Sequence, residues 1–141
     1  MQELILNLPW PPTVNSYYAK TKRGVYISKG GRAFRDAVIS ACREQMALNL
    51  RLDSRLSMQV ILYPPDRRTR DLDNYMKALL DALTHSEVWI DDEQIDELAI
   101  MRGKIVPRDG EIPGGMVRLK ISLHHGMIMP DDANIWDYLN D

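Results

Sequence analysis

Two proline clusters divide this chain more firmly than any hydrophobic pattern in it. Pro9-Trp10-Pro11-Pro12 closes the first apolar stretch and Pro64-Pro65 closes a later one. Each proline removes an amide donor and holds the residue before it extended, so neither cluster belongs inside a helix or a central strand. Regular elements must lie on either side. Leu4, Leu6 and Leu8 alternate as a strand over residues 3–8, and Val60, Ile61, Leu62 and Tyr63 form a short apolar strand over 58–63.

Residues 9–15 then read as a structured loop. Tyr17, Tyr18, Val25, Tyr26 and Ile27 flank a basic tip, which predicts a hairpin. Over residues 28–48 the period becomes helical: Phe34, Val38, Ala41, Cys42, Gln45 and Met46 share a face, and Ser28 is a candidate N-cap. A second helix follows residue 74, with Met76, Leu79, Leu80 and Leu83 at i, i+3, i+4 and i+7. Residues 97–106 and 116–124 read as strands separated by a turn-rich stretch. This order predicts a single α+β domain, a small mixed β-sheet with two main helices packed on one face. The 141 residues suit one core. Residues 1–125 form the domain, and residues 126–141 an apolar, acidic extension.

The net charge of −2 conceals a segregation. Residues 1–70 carry +7, residues 71–125 carry −5 and residues 126–141 carry −4. A basic first part is compatible with a polyanionic partner despite the near-neutral total. One cysteine, Cys42, excludes an internal disulfide framework and a cysteine-rich zinc site, and it is expected in the core. Residues 1–10 resemble neither a signal peptide nor a membrane span, so a cytoplasmic protein is expected.

The densest charge is Asp66-Arg67-Arg68-Thr69-Arg70-Asp71-Leu72-Asp73-Asn74. One reading makes Asp71 or Asp73 a helix cap. Another makes them metal ligands, joined by Asp92 and supported by Asp91. Helix residues 74–84 would rise about 16 Å, whereas the eight residues to Asp92 can span about 26 Å; the loop can therefore return to the helix start. Three carboxylates suit Mg²⁺ or Mn²⁺ better than zinc. Lys77 lies one turn after Asp73, as an ordinary i,i+4 ion pair or as a cation directed at a phosphate. Arg67, Arg68 and Arg70 could hold phosphodiester oxygens. Lys20, Lys22, Arg23 and Lys29, with Tyr17, Tyr18 and Tyr26, form a second candidate DNA contact, the rings stacking on unpaired bases. Trp10 reads as a core plug. His124-His125 is a weaker candidate for a metal.

Taken in order, the run from Leu8 through Trp10 to Asn15, Tyr17-Tyr18, the run from Pro65 to Asn74, Lys77, Asp81-Ala82-Leu83-Thr84 and Trp89-Ile90-Asp91-Asp92 resemble the RusA family of Holliday-junction resolvases. The resemblance runs from about residue 4 to residue 123. It implies a homodimeric, Mg²⁺-dependent endodeoxyribonuclease, with Mn²⁺ a substitute, that binds four-way DNA junctions. Such an enzyme nicks two opposed strands symmetrically, in recombination and repair, and leaves 5′-phosphate ends. By the family pattern Asp71, Asp73 and Asp92 match the essential aspartates and Lys77 the essential lysine, with Asp91 a supporting group; a prophage origin is also implied. The extension departs from the family pattern and is expected to pack on its own domain or on a partner copy. Two competing classes remain: a non-catalytic junction-binding protein, and a Mg²⁺-dependent phosphoesterase acting on flaps or small substrates.

Overall fold

The computed structural model describes residues 3–124. Expectations for residues 126–141, and for His125, lie outside the described residues. Strand β1 (Glu3–Pro9) ends at the first proline cluster. The chain then turns through a four-residue helix, α1 (Val14–Tyr17), where a loop was expected over residues 9–15. Thr13 explains the difference, because its hydroxyl accepts the Ser16 amide and caps the turn as soon as the prolines end. The expected hairpin follows as β2 (Tyr18–Thr21) and β3 (Gly24–Ile27), antiparallel, with Gly24 at φ +121° in its tight turn.

Helix α2 (Lys29–Glu44) starts at Ser28, whose hydroxyl accepts the Gly31 amide at 2.9 Å. It ends earlier than the apolar pattern predicts. Gln45 turns its side chain onto β1, where Oε1 accepts from the Asn7 N–H and Nε2 donates to the Asn7 carbonyl, both at 2.8 Å. The amide side chain thus serves Asn7 as a strand neighbour would. Met46, placed on the buried face by periodicity, adopts φ +61° and is 86% exposed.

Strand β4 (Leu56–Tyr63), helix α3 (Met76–His85), and strands β5 (Ile95–Arg102) and β6 (Met116–Leu123) complete the domain. The sheet order is β1-β6-β4-β5, antiparallel except for the β4/β5 pair. That parallel pair needs a crossover, which α3 supplies. Registers align Leu4/Ile121/Met58, Leu6/Leu119/Val60 and Leu8/Val117/Leu62 across three strands. Those rows meet Phe34, Val38 and Cys42 of α2 and Leu79, Ala82 and Leu83 of α3 in one core. The mixed sheet with two main helices on one face is therefore the architecture of the described residues.

Strand β5 begins two residues before the expected span and stops at Arg102. Gly103 then donates to the Leu62 carbonyl at 2.8 Å, and a Cβ there would lie 2.6 Å from the Tyr63 ring, so a glycine marks where the strand leaves the sheet. No helix among the described residues is long and apolar enough to cross a membrane.

Candidate active site and nucleic-acid interface

Helix α3 begins through a 3-10 turn, Leu72–Tyr75, with Asp71 at its N-cap position in extended backbone. The Asp71 side chain makes no capping hydrogen bond. The Asn74 amide instead closes onto the Asp71 carbonyl at 3.3 Å, so the cap reading is corrected. Among the described residues neither Asp71, Asp73 nor Lys77 joins an ion pair, so the alternative of an ordinary Asp73–Lys77 pair is not formed. All three side chains are exposed. The helix start thus presents two uncommitted carboxylates and one uncommitted ammonium to solvent.

At the other end of α3 the chain returns through Trp89. This indole is fully buried and donates to Thr84 Oγ1 at 2.7 Å. Its neighbour Ile90 is 62% exposed. The second anchor is Gln94, a buried residue to which the sequence reading gave no role. Its Oε1 accepts from the Ile90 and Asp91 amides at 2.9 and 2.8 Å. Its Nε2 donates to the Leu52 and Ser54 carbonyls at 2.8 and 2.9 Å. Four bonds from one amide fix the backbone that carries Asp91 and Asp92. The visible signal was a glutamine directly after a run of three acids.

Asp92 opens the short turn Asp92–Gln94, which packs against α3. Burial raises its carboxyl above the ordinary value, and the adjacent Asp91 carboxyl adds to the rise. Lys77 opposes this shift and Asp81 reinforces it, which places Asp92 within electrostatic reach of both. The loop therefore returns to α3. Among the described residues no three histidine, cysteine or carboxylate side chains are grouped so as to hold one ion. The donor chemistry fits Mg²⁺ or Mn²⁺, with hard oxygen ligands of which two are unpartnered.

Asp81 lies four residues after Lys77 on α3. Its Oδ2 accepts the Tyr17 hydroxyl and also two Arg35 nitrogens, Nη2 at 2.6 Å and Nε at 3.2 Å. Arg35 Nε further donates to the Tyr17 oxygen at 2.8 Å, closing the network. Tyr17 is fully buried, so its ring is unavailable to stack on a base and its expected role as a DNA contact is corrected. Tyr18 is partly exposed and packs edge-on against it. Lys20, Lys22, Arg23, Tyr26 and Lys29 are exposed on the hairpin and at the start of α2.

The arginines divide. Arg67 and Arg68 are exposed. Arg70 is 12% exposed, bonded to Asp66 at 2.7 Å, with its guanidinium 5.8 Å from the Trp10 ring centre. It is committed to the fold, and its expected role as a phosphate clamp is corrected. Trp10 packs partly buried against the core and against Tyr75, with 4.8 Å between ring centres. His124 Nδ1 is occupied by the Ser57 hydroxyl at 2.8 Å. Cys42 is buried in the core, where burial pushes its thiol up to about 11.

The family model described as Endodeoxyribonuclease RusA matches residues 9–123. A crossover junction endodeoxyribonuclease of Enterobacteria phage HK97 is 39% identical over 122 residues, covering 86% of this chain and 96% of that protein. The protein of the same name from Escherichia coli (strain K12) is 34% identical over 122 residues, with the same coverage of both chains. That of Enterobacteria phage 82 is 35% identical over 117 residues, covering 83% of this chain and 92% of its own. With its family model spanning strands β4, β5 and β6, both main helices and the acidic loops, this chain belongs to the endodeoxyribonuclease RusA family.

Proposed function

We propose that this chain is a structure-selective endodeoxyribonuclease that binds four-way DNA junctions and, as a homodimer, nicks two opposed strands symmetrically. One observation carries the reading: the Trp89 and Gln94 hydrogen bonds fix the backbone of Asp91 and Asp92 in a turn packed against α3, the helix that carries Lys77 and follows the unpartnered Asp73. Family membership supports it. Asp71, Asp73 and Asp92, with Asp91 beside them, would hold Mg²⁺, or Mn²⁺ in its place. When bound, the ion supplies an activated water and stabilises charge on the attacked phosphate and the leaving oxygen. Lys77 would stabilise charge developing at that phosphate. Arg67, Arg68 and the exposed cations of the hairpin would hold the flanking backbone. Two-fold symmetry would match the two equivalent cut strands of a junction.

A second reading, a junction binder that does not cut, is favoured by the absence of a preassembled three-ligand group among the described residues. Incubating a synthetic four-way junction and a linear duplex of the same sequence with Mg²⁺ separates the readings. The nuclease nicks the junction in preference to the duplex. Tight junction binding without nicks supports the second reading, and equal cutting of both substrates supports a general phosphoesterase.

A further inference from the structure

We propose that Asp81 is a positioning residue for Lys77, clamped by Arg35 and Tyr17 so that it presents the lysine ammonium to the attacked phosphate. The proposal rests on the nuclease reading above. It begins with an asymmetry. An arginine facing a carboxylate as a simple strut commonly shares its nitrogens between both oxygens. Here both Arg35 contacts go to Asp81 Oδ2, and the Tyr17 hydroxyl goes to the same oxygen. Asp81 Oδ1 accepts no hydrogen bond among the described residues.

Helix α3 carries a free cation on the same face as that oxygen. Lys77 is four residues before Asp81, hence its neighbour on the α3 face, and it has no ion-pair partner of its own among the described residues. The clamp is rooted away from the exposed face: Tyr17 is fully buried at the end of α1, and Arg35 comes from α2. A carboxylate whose rotamer is already fixed by three donors can receive a flexible lysine with little ordering cost of its own.

Single-turnover cleavage of a synthetic four-way junction tests this through a double-mutant cycle. Asp81→Asn is expected to slow cleavage by about 10- to 100-fold, with junction affinity held within about twofold. In a Lys77→Gln background the same change is expected to alter the residual rate by less than about twofold. An equal loss in both backgrounds makes Asp81 structural and overturns the proposal. Tyr17→Phe removes one donor and serves if Asp81→Asn fails to fold; it too should slow cleavage only while Lys77 is present. Carbon relaxation of the Lys77 ε-methylene provides a readout that needs no cleavage. Its order should fall in Asp81→Asn, and unchanged order overturns the proposal. A wild-type chain that never cuts junctions removes the nuclease reading, and the ε-methylene measurement then decides the positioning role alone.

Discussion

Arg70 lays its guanidinium over the Trp10 ring, 5.8 Å from the ring centre, while bonding Asp66 at 2.7 Å. Hydrogen bonds from Arg70 and from the Arg68 amide hold the Asp66 carboxyl down at about 2, so this pair stays ionised through the neutral range. It ties the segment after β4 to the proline loop after β1. Arg67 and Arg68 remain exposed beside it. Arg67→Ala or Arg68→Ala should reduce the magnitude of the salt slope of junction binding by up to about one unit each without lowering Tm. Arg70→Ala should lower Tm. Binding titrations at several salt concentrations, with thermal melts, distinguish the two effects; an unchanged slope removes that arginine from the DNA surface.

Adjacent glycines in α2 make a controlled pair. A Cβ on Gly31 would meet the Tyr17 carbonyl oxygen at 2.5 Å and Ile27 Cγ2 at 2.7 Å, whereas one on Gly30 meets nothing nearer than 3.9 Å. Gly31→Ala should destabilise the fold by about 1–3 kcal/mol through overpacking. Gly30→Ala should be neutral or stabilising by up to about 1 kcal/mol. Urea unfolding measures both. Equal effects would mean that the α1–α2 junction yields.

Asp73→Asn should leave junction affinity nearly unchanged and reduce single-turnover cleavage by at least about 100-fold, because several kcal/mol of charge stabilisation depend on the ligand set. Asp73 has no ion-pair partner among the described residues, so its neutralisation should not lower Tm. Cleavage at the wild-type rate would remove Asp73 from the metal site.

The pH dependence of stability carries the signature of Asp81. Burial pushes its carboxyl up, but hydrogen bonds from Tyr17 and Arg35, with the Arg35 and Lys77 charges, hold it below its ordinary value. The Asp81 charge in turn helps to raise the Asp92 carboxyl, as a like charge does. A depressed carboxylate stabilises the fold above its unfolded value of about 3.9 and loses that contribution as pH falls through the folded value. Wild type should therefore exceed Asp81→Asn in stability at pH 7, and the gap should narrow as pH falls below about 4. Urea titrations at pH 7, 5 and 3 check this. A constant gap would assign the difference to packing.

The elements legible in the sequence were those governed by local chemistry. Ser28 capped α2, alternation located β6, and proline closed β1 and β4. What stayed hidden depended on partners distant in the chain. Nothing near Gln45 announces that its amide will serve Asn7, so the end of α2 was read too late. Nothing near Tyr17 announces Arg35 and Asp81, so an exposed stacking ring was expected where a buried donor stands. At the site, the acidic loops and Lys77 were legible as residue types. Their geometry was set by Trp89 and Gln94, whose bonds reach Thr84, Leu52 and Ser54.

The most direct measurement maps nicks on a four-way junction with each strand labelled in turn, in the presence of Mg²⁺. The proposed activity predicts nicks at symmetry-related positions on two opposed strands, with ligatable 5′-phosphate ends and no comparable cutting of linear duplex. A junction bound tightly yet left intact, or cut without regard to branching, would contradict it.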